Sequence, residues 1–162
     1  MTEVNDFIQA VRGEQDADQA TNNARLYALV DHAGAPGLLA ELGRRTGIPW
    51  CSLFEDSKEQ GALEVAPVLI QFADGGSSQT ELKLLAWLHR ACKFSTSLTV
   101  LQSSLAQPAL ASALKRRLNA KLPDGMFVML RYFDTRILGS LITVLTAAQR
   151  GEFLGVAARC SG

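Results

Sequence analysis

The chain is short of most features that announce chemistry. Its three cysteines, Cys51, Cys92 and Cys160, are odd in number, far apart and without a CxxC pair. There is also no signal peptide, so the pattern predicts reduced thiols in a cytosol and excludes a disulfide framework. Histidine is scarcer still, with two residues. His89 and Cys92 lie three apart on a predicted helix face, but two ligands do not make a metal site. GxSxG, HExxH, GxGxxG and GxxxxGK[ST] are all missing, which removes the motif-borne cases for a hydrolase, a zinc protease or a nucleotide fold. Net charge is zero. Residues 1–24 hold Glu3, Asp6, Glu14, Asp16 and Asp18 against Arg12, so the remainder is only +4. That is too little for a nucleic-acid face. Residues 94–114 carry no charge, yet they are rich in Ser, Thr and Gln and broken by Pro108, which argues against a membrane span.

What is present describes a globular domain. At 162 residues, with 48% apolar and 20% charged, the chain can bury a real core as one domain. Residues 1–24 read as an acidic segment. A short apolar cluster at Phe7, Ile8 and Val11 is followed by a polar linker. Residues 25–162 read as a single α/β domain.

Short apolar runs at Leu26–Val30, Val68–Phe72 and Ser97–Gln102 predict strands. Trp50–Phe54 is an irregular segment or a brief strand. Helices are predicted from Leu38, after Ser57 and Ser78 with their capping-box spacing, and through Leu110, Leu114 and Leu118. Met126–Phe133 is apolar on both faces apart from Arg131. It is expected to be the central strand, entered by a hairpin turn at Pro123-Asp124-Gly125. Asp134 is placed to cap the next helix, and Thr146 with Gln149 the last one. Strand–helix alternation predicts a mixed, mainly parallel sheet with helices on both faces and a C-terminal antiparallel hairpin.

Arg131 is the anomaly in this pattern. A charge inside such a strand needs a carboxylate or a route to water. Asp31, at the end of the first strand, is the most specific partner, and Asp134 the other. Arg136, one turn on, is freer to meet solvent or a partner. Two alternatives for chemistry remain open near the strand ends. Asp31-His32 could act as an acid–base pair, although neighbouring strand residues point to opposite faces. Gly75-Gly76-Ser77-Ser78 could cradle a phosphate at a helix start. Lys115, Arg116, Arg117 and Lys121 form a basic cluster, read as a solvated helix end or as a docking patch for an acidic partner. Trp50, Phe54 and Trp87 read as core, or as partner anchors where exposed.

The segments LYALVD (26–31), SLFE (52–55), APVLIQF (66–72), LLAWL (84–88) and LPDGMFVMLRYFDTRIL (122–138), in this order and spacing, resemble the type VI secretion adaptor family. Its members are also called effector chaperones, or TEC proteins. The RYFDTR portion is the most specific piece. The family usually reads Asp-Pro-Arg there, where this chain has Thr135, and a Trp-Gly pair is replaced by Ala91-Cys92-Lys93-Phe94. The resemblance implies a cytosolic, non-catalytic adaptor without cofactor. Such a protein binds a secreted effector and helps load it onto the VgrG spike or its PAAR tip. It implies an architectural role for Asp31, Arg131, Asp134 and Arg136, with Trp50, Phe54, Trp87 and Arg136 as candidate partner contacts. Many members continue into a more helical second lobe, and this chain ends where that lobe would begin. The competing expectation is a small α/β enzyme or nucleotide-binding domain with its site near Asp31 and Gly75.

Overall fold

A computed structural model describes residues 2–11, 24–155 and the backbone of 159–161. The predicted linker in 13–23 lies outside the described residues. In chain order the elements are helix α1 (residues 2–11), strand β1 (Arg25–Asp31), helix α2 (Leu38–Arg44), β2 (Trp50–Ser52), β3 (Pro67–Phe72) and α3 (Gln79–Cys92). They continue with β4 (Leu98–Ser103), α4 (Gln107–Arg116), β5 (Asn119–Lys121), β6 (Phe127–Met129), α5 (Thr135–Val144), α6 (Ala147–Leu154) and β7 (Arg159–Ser161). Single 3-10 segments span His32–Gly34 and Gln60–Val65.

The main sheet has five strands in the order β2-β3-β1-β4-β7. Its middle strand is β1, buried at every residue from Leu26 to Asp31. Leu26, Ala28 and Val30 face one core, and Tyr27 and Leu29 face the other. That two-sided burial is why LYALV is apolar without alternation. The first core is closed by Ile8 and Val11 of α1, Leu38 and Leu42 of α2, and Leu84, Leu85 and Leu88 of α3. The second is closed by Leu110 and Leu114 of α4 together with Leu118, Tyr132 and Phe133. Each of these large side chains contributes about 1.5–3 kcal/mol through burial.

The expectation of a mainly parallel sheet is overturned. All four pairings in the main sheet are antiparallel. The physical reason lies in β1. It pairs antiparallel with β3 on one side and β4 on the other, so β3 and β4 run alike with β1 between them. α3 therefore carries the chain across an occupied position. Alternation of strand and helix reports such a crossover, but not whether another strand fills the gap.

The expected central strand is also corrected. Of Met126–Phe133, only Phe127–Met129 is a strand, and it pairs solely with β5 in a separate hairpin. Phe127 is 71% exposed and Met126 59%. The local signals for helix starts are found more faithfully. Ser78, Asp134 and Thr146 each accept a first-turn N–H, and Thr146 with Gln149 completes a reciprocal capping box. Ser57 instead accepts from Glu59 N–H and donates to Phe54 O, so it closes a turn ahead of the 3-10 segment.

Candidate functional site

The RYFDTR turn, residues 131–136, docks at one end of β1. Asp31 terminates that strand, and its carboxylate accepts the N–H of Ala33 at 3.1 Å, which starts the 3-10 turn. Its other oxygen accepts Arg131 Nη2 at 3.2 Å, a contact spanning 100 residues of sequence. The pair is asymmetric. The Asp31 side chain is 8% exposed, whereas that of Arg131 is 51% exposed. Arg131 thus lies outside the sheet, at its rim, with its guanidinium 5.5 Å from the centroid of the buried Phe133 ring. Gly34 sits so close to Ser97 that a Cβ would fall 1.7 Å from its Oγ, so only glycine lets this turn close on β4.

Asp134 is the polar hub of the turn. One oxygen accepts Arg136 N–H at 3.0 Å, Arg136 Nε at 3.1 Å and Thr96 Oγ1 at 3.0 Å; the other accepts Arg136 Nη2 at 2.8 Å. The Arg136 hydrogen bonds, helped by Thr96, hold its carboxyl far below the ordinary carboxylate range against the effect of burial. Thr135 N–H donates to Thr96 O at 3.0 Å. A proline at 135 would lack that donor, so threonine gains here a bond to the entry of β4. Tyr132 is buried, donates to Leu114 O at 2.7 Å, and meets Phe153 and Phe133 edge-on. Burial raises its hydroxyl pKa. Six residues therefore tie β1, the approach to β4, and α4 together.

The glycine turn after β3 is already filled. Gly75 and Gly76 adopt φ of 64 and 76°, a left-handed pair that aims backbone N–H groups inward. The anion received there is Glu81, which is 4% exposed. Its carboxylate accepts Asp74 N–H at 3.1 Å and Gly76 N–H at 2.8 Å. The chain's own carboxylate thus takes the position that a phosphate would need.

The other candidates disperse. His89 packs on Phe7 at 5.0 Å, and Cys92 is buried, with its thiol pushed up to about 11 mainly by burial. No group of three metal-ligating residues forms among the described residues. Phe54, 3% exposed, belongs to the core and is not a surface anchor. Trp87 is half-buried against the first core, Trp50 is 38% exposed on the edge strand β2, and the Arg136 side chain is 74% exposed. Among the described residues, no helix is long and apolar enough to cross a membrane.

Sequence reasoning missed an exposed apolar surface. Leu122, Met126, Phe127 and Met129 all stand in solvent on or beside the β5–β6 hairpin. α5 buries none of its residues completely, and Ile137 and Val144 are exposed. The hairpin itself is expected from the Pro-Asp-Gly turn and is found, but its exposure is not foreseen. Asp124 accepts Met126 N–H at 3.0 Å, and Gly125 takes φ of 88°. In the basic cluster, Lys115 donates to Glu55 O, while Arg117 donates to Ala113, Glu152 and Phe153 carbonyls.

Comparison with curated proteins and with solved structures gives no match. A family model described as "Domain of unknown function (DUF4123)" matches residues 26–152. That span runs from β1 into α6 and holds the strand-end turn, the filled glycine loop and the apolar hairpin. The chain belongs to the DUF4123 family.

Proposed function

We propose that this chain is a cytosolic adaptor of the type VI secretion system, binding an effector and helping to load it onto the VgrG spike or its PAAR tip. The reading rests on membership of the family together with the five segments that resemble secretion adaptors. The observation that carries it is how the most specific segment is used. RYFDTR directs Arg131, Tyr132, Asp134 and Thr135 onto other parts of the same chain, and turns Arg136 back onto its own Asp134. Its role is to hold shape, and the neighbouring hairpin is left with large apolar side chains in water. A rigid scaffold with an exposed apolar surface suits capture of an aggregation-prone protein segment. The filled Gly75-Gly76 loop disfavours the nucleotide-binding alternative at that place.

The test is co-expression with the effector and spike proteins encoded beside this gene. The adaptor reading expects a stable complex with the effector and more soluble effector than without the chain. Capture of neither protein, combined with turnover of a small substrate, would refute it.

A further inference from the structure

The β5–β6 hairpin presents one face to solvent. Phe127 and Met129 alternate with Val128, and their cross-strand partners are Lys121 and Asn119. Val128 and its partner Ala120 are half-buried on the opposite face. Phe127 is 71% exposed and Lys121 Nζ lies 5.8 Å from its ring centroid. Asn119 also lines a cleft of about 360 Å³ with Arg116, Leu130, Leu145 and Phe153. Hairpin face and cleft thus meet at Asn119 in one strip, where apolar side chains alternate with polar and charged ones such as Gln149 and Glu152 and one end is concave.

The strip is also electropositive. Arg116 and Arg117 line the cleft together with Glu152, and Lys121 stands on the hairpin face beside Phe127, with Asp124 in the hairpin turn. Neither Arg116 nor Lys121 has an ion-pair partner among the described residues. Apolar side chains framed by unpaired cations are complementary to apolar side chains framed by carboxylates. The cleft favours a peptide over a bilayer, because side chains can enter it and a flat lipid surface cannot.

We infer that this strip is the docking surface for an acidic amphipathic segment of the effector, with apolar side chains on Phe127, Met129 and the cleft, and carboxylates on Arg116 and Lys121. The inference rests on the adaptor reading and names its contact surface. The test places a photo-crosslinking benzoylphenylalanine at Phe127 or, as a control, at Lys83 on the exposed side of α3. The probes are the purified effector encoded beside the gene and fluorescent peptides tiled along its sequence. Crosslinking from position 127 alone is expected, to a segment rich in apolar and acidic residues. Phe127→Ser and Arg116→Glu should each weaken that peptide about tenfold. Binding should also fall as ionic strength rises to about 0.15 M. All three positions are exposed or half-exposed, so the variants should keep the wild-type melting temperature. Four results would overturn the strip while leaving the adaptor reading intact. They are effector capture through position 83 only, unchanged affinity in both variants, self-association crosslinked through 127, and preference for anionic phospholipid vesicles over every peptide. Failure of the wild-type chain to bind effector or spike at all would sink the adaptor reading itself.

Discussion

Asp134→Ala separates an architectural turn from an interactive one. The carboxylate caps α5 through Arg136 N–H, and losing such a cap costs about 1 kcal/mol, within a range of about 0.5–2. The Thr96 hydroxyl, half-buried, loses its acceptor, for roughly another 1 kcal/mol. The ion pair adds little, because the Arg136 side chain is 74% exposed and surface pairs contribute about 0–1 kcal/mol. The expected loss is therefore about 2 kcal/mol, or roughly 4–8 °C in Tm for a chain of this size. Asp134→Asn keeps the cap and should lose less than about 1 kcal/mol. The pH dependence has a defined sign. The folded pKa lies below the unfolded value of about 3.9, so the stability it contributes is fully present above about pH 4. It is lost as pH falls further, through the folded value, and the gap between wild type and Asp134→Asn should close over that acid limb. Urea titration from neutral to acid pH measures both quantities. A loss below about 0.5 kcal/mol for Asp134→Ala, or equal losses for Ala and Asn, would refute the capping argument.

Three further outcomes follow from the same geometry. Arg131→Ala should cost no more than about 1 kcal/mol because the guanidinium is half in water, and Asp31→Ala should cost more because Ala33 N–H also loses its acceptor; a loss of about 3–5 kcal/mol for Arg131→Ala in urea titration would restore the buried-pair account. Glu81→Ala should cost about 3 kcal/mol and speed hydrogen exchange at Asp74 and Gly76, with Gln intermediate; unchanged exchange would mean the loop holds itself. In a chain with Cys51 and Cys160 replaced by alanine, Cys92 should resist alkylation at pH 8, since its thiol titrates at about 11, and fast labelling of the folded protein would contradict its burial.

Much of the local structure was legible because its causes are local. Ser78, Asp134 and Thr146 each sit next to the N–H groups they cap, so the sequence window contains both partners. The two-sided burial of Leu26–Val30 shows as an unbroken apolar run. Strand direction was not legible, because α3 joins β3 to β4 in the same way whether or not β1 lies between them. The Asp31–Arg131 contact was legible as chemistry, since each charge needed a partner, but its exposure was not. The pattern placed Arg131 in a buried strand, but the strand ends at Met129 and the chain bends at Tyr132-Phe133, leaving the guanidinium on the rim.

That bend also bears on what the apolar stretch is for. Met126–Leu145 has the composition of a core element, yet the hairpin and α5 that it forms hold Met126, Phe127, Met129, Ile137 and Val144 in solvent. Exposed apolar side chains contribute nothing to folding and raise the tendency to aggregate. Tyr132 and Phe133, in the middle of the same stretch, are fully packed and fix the segment to α4 and β1. The stretch is thus anchored at its centre and open on both sides. An element held rigidly with its apolar groups outward loses little conformational entropy when those groups are covered. The partner surface proposed for the hairpin depends on that rigidity, so loosening Tyr132 should weaken effector binding even though its side chain touches no partner. Tyr132→Phe removes only the bond to Leu114 O and keeps the ring contacts. Weaker effector affinity without loss of fold in that variant is the expected result, and unchanged affinity would show that the hairpin needs no such anchor.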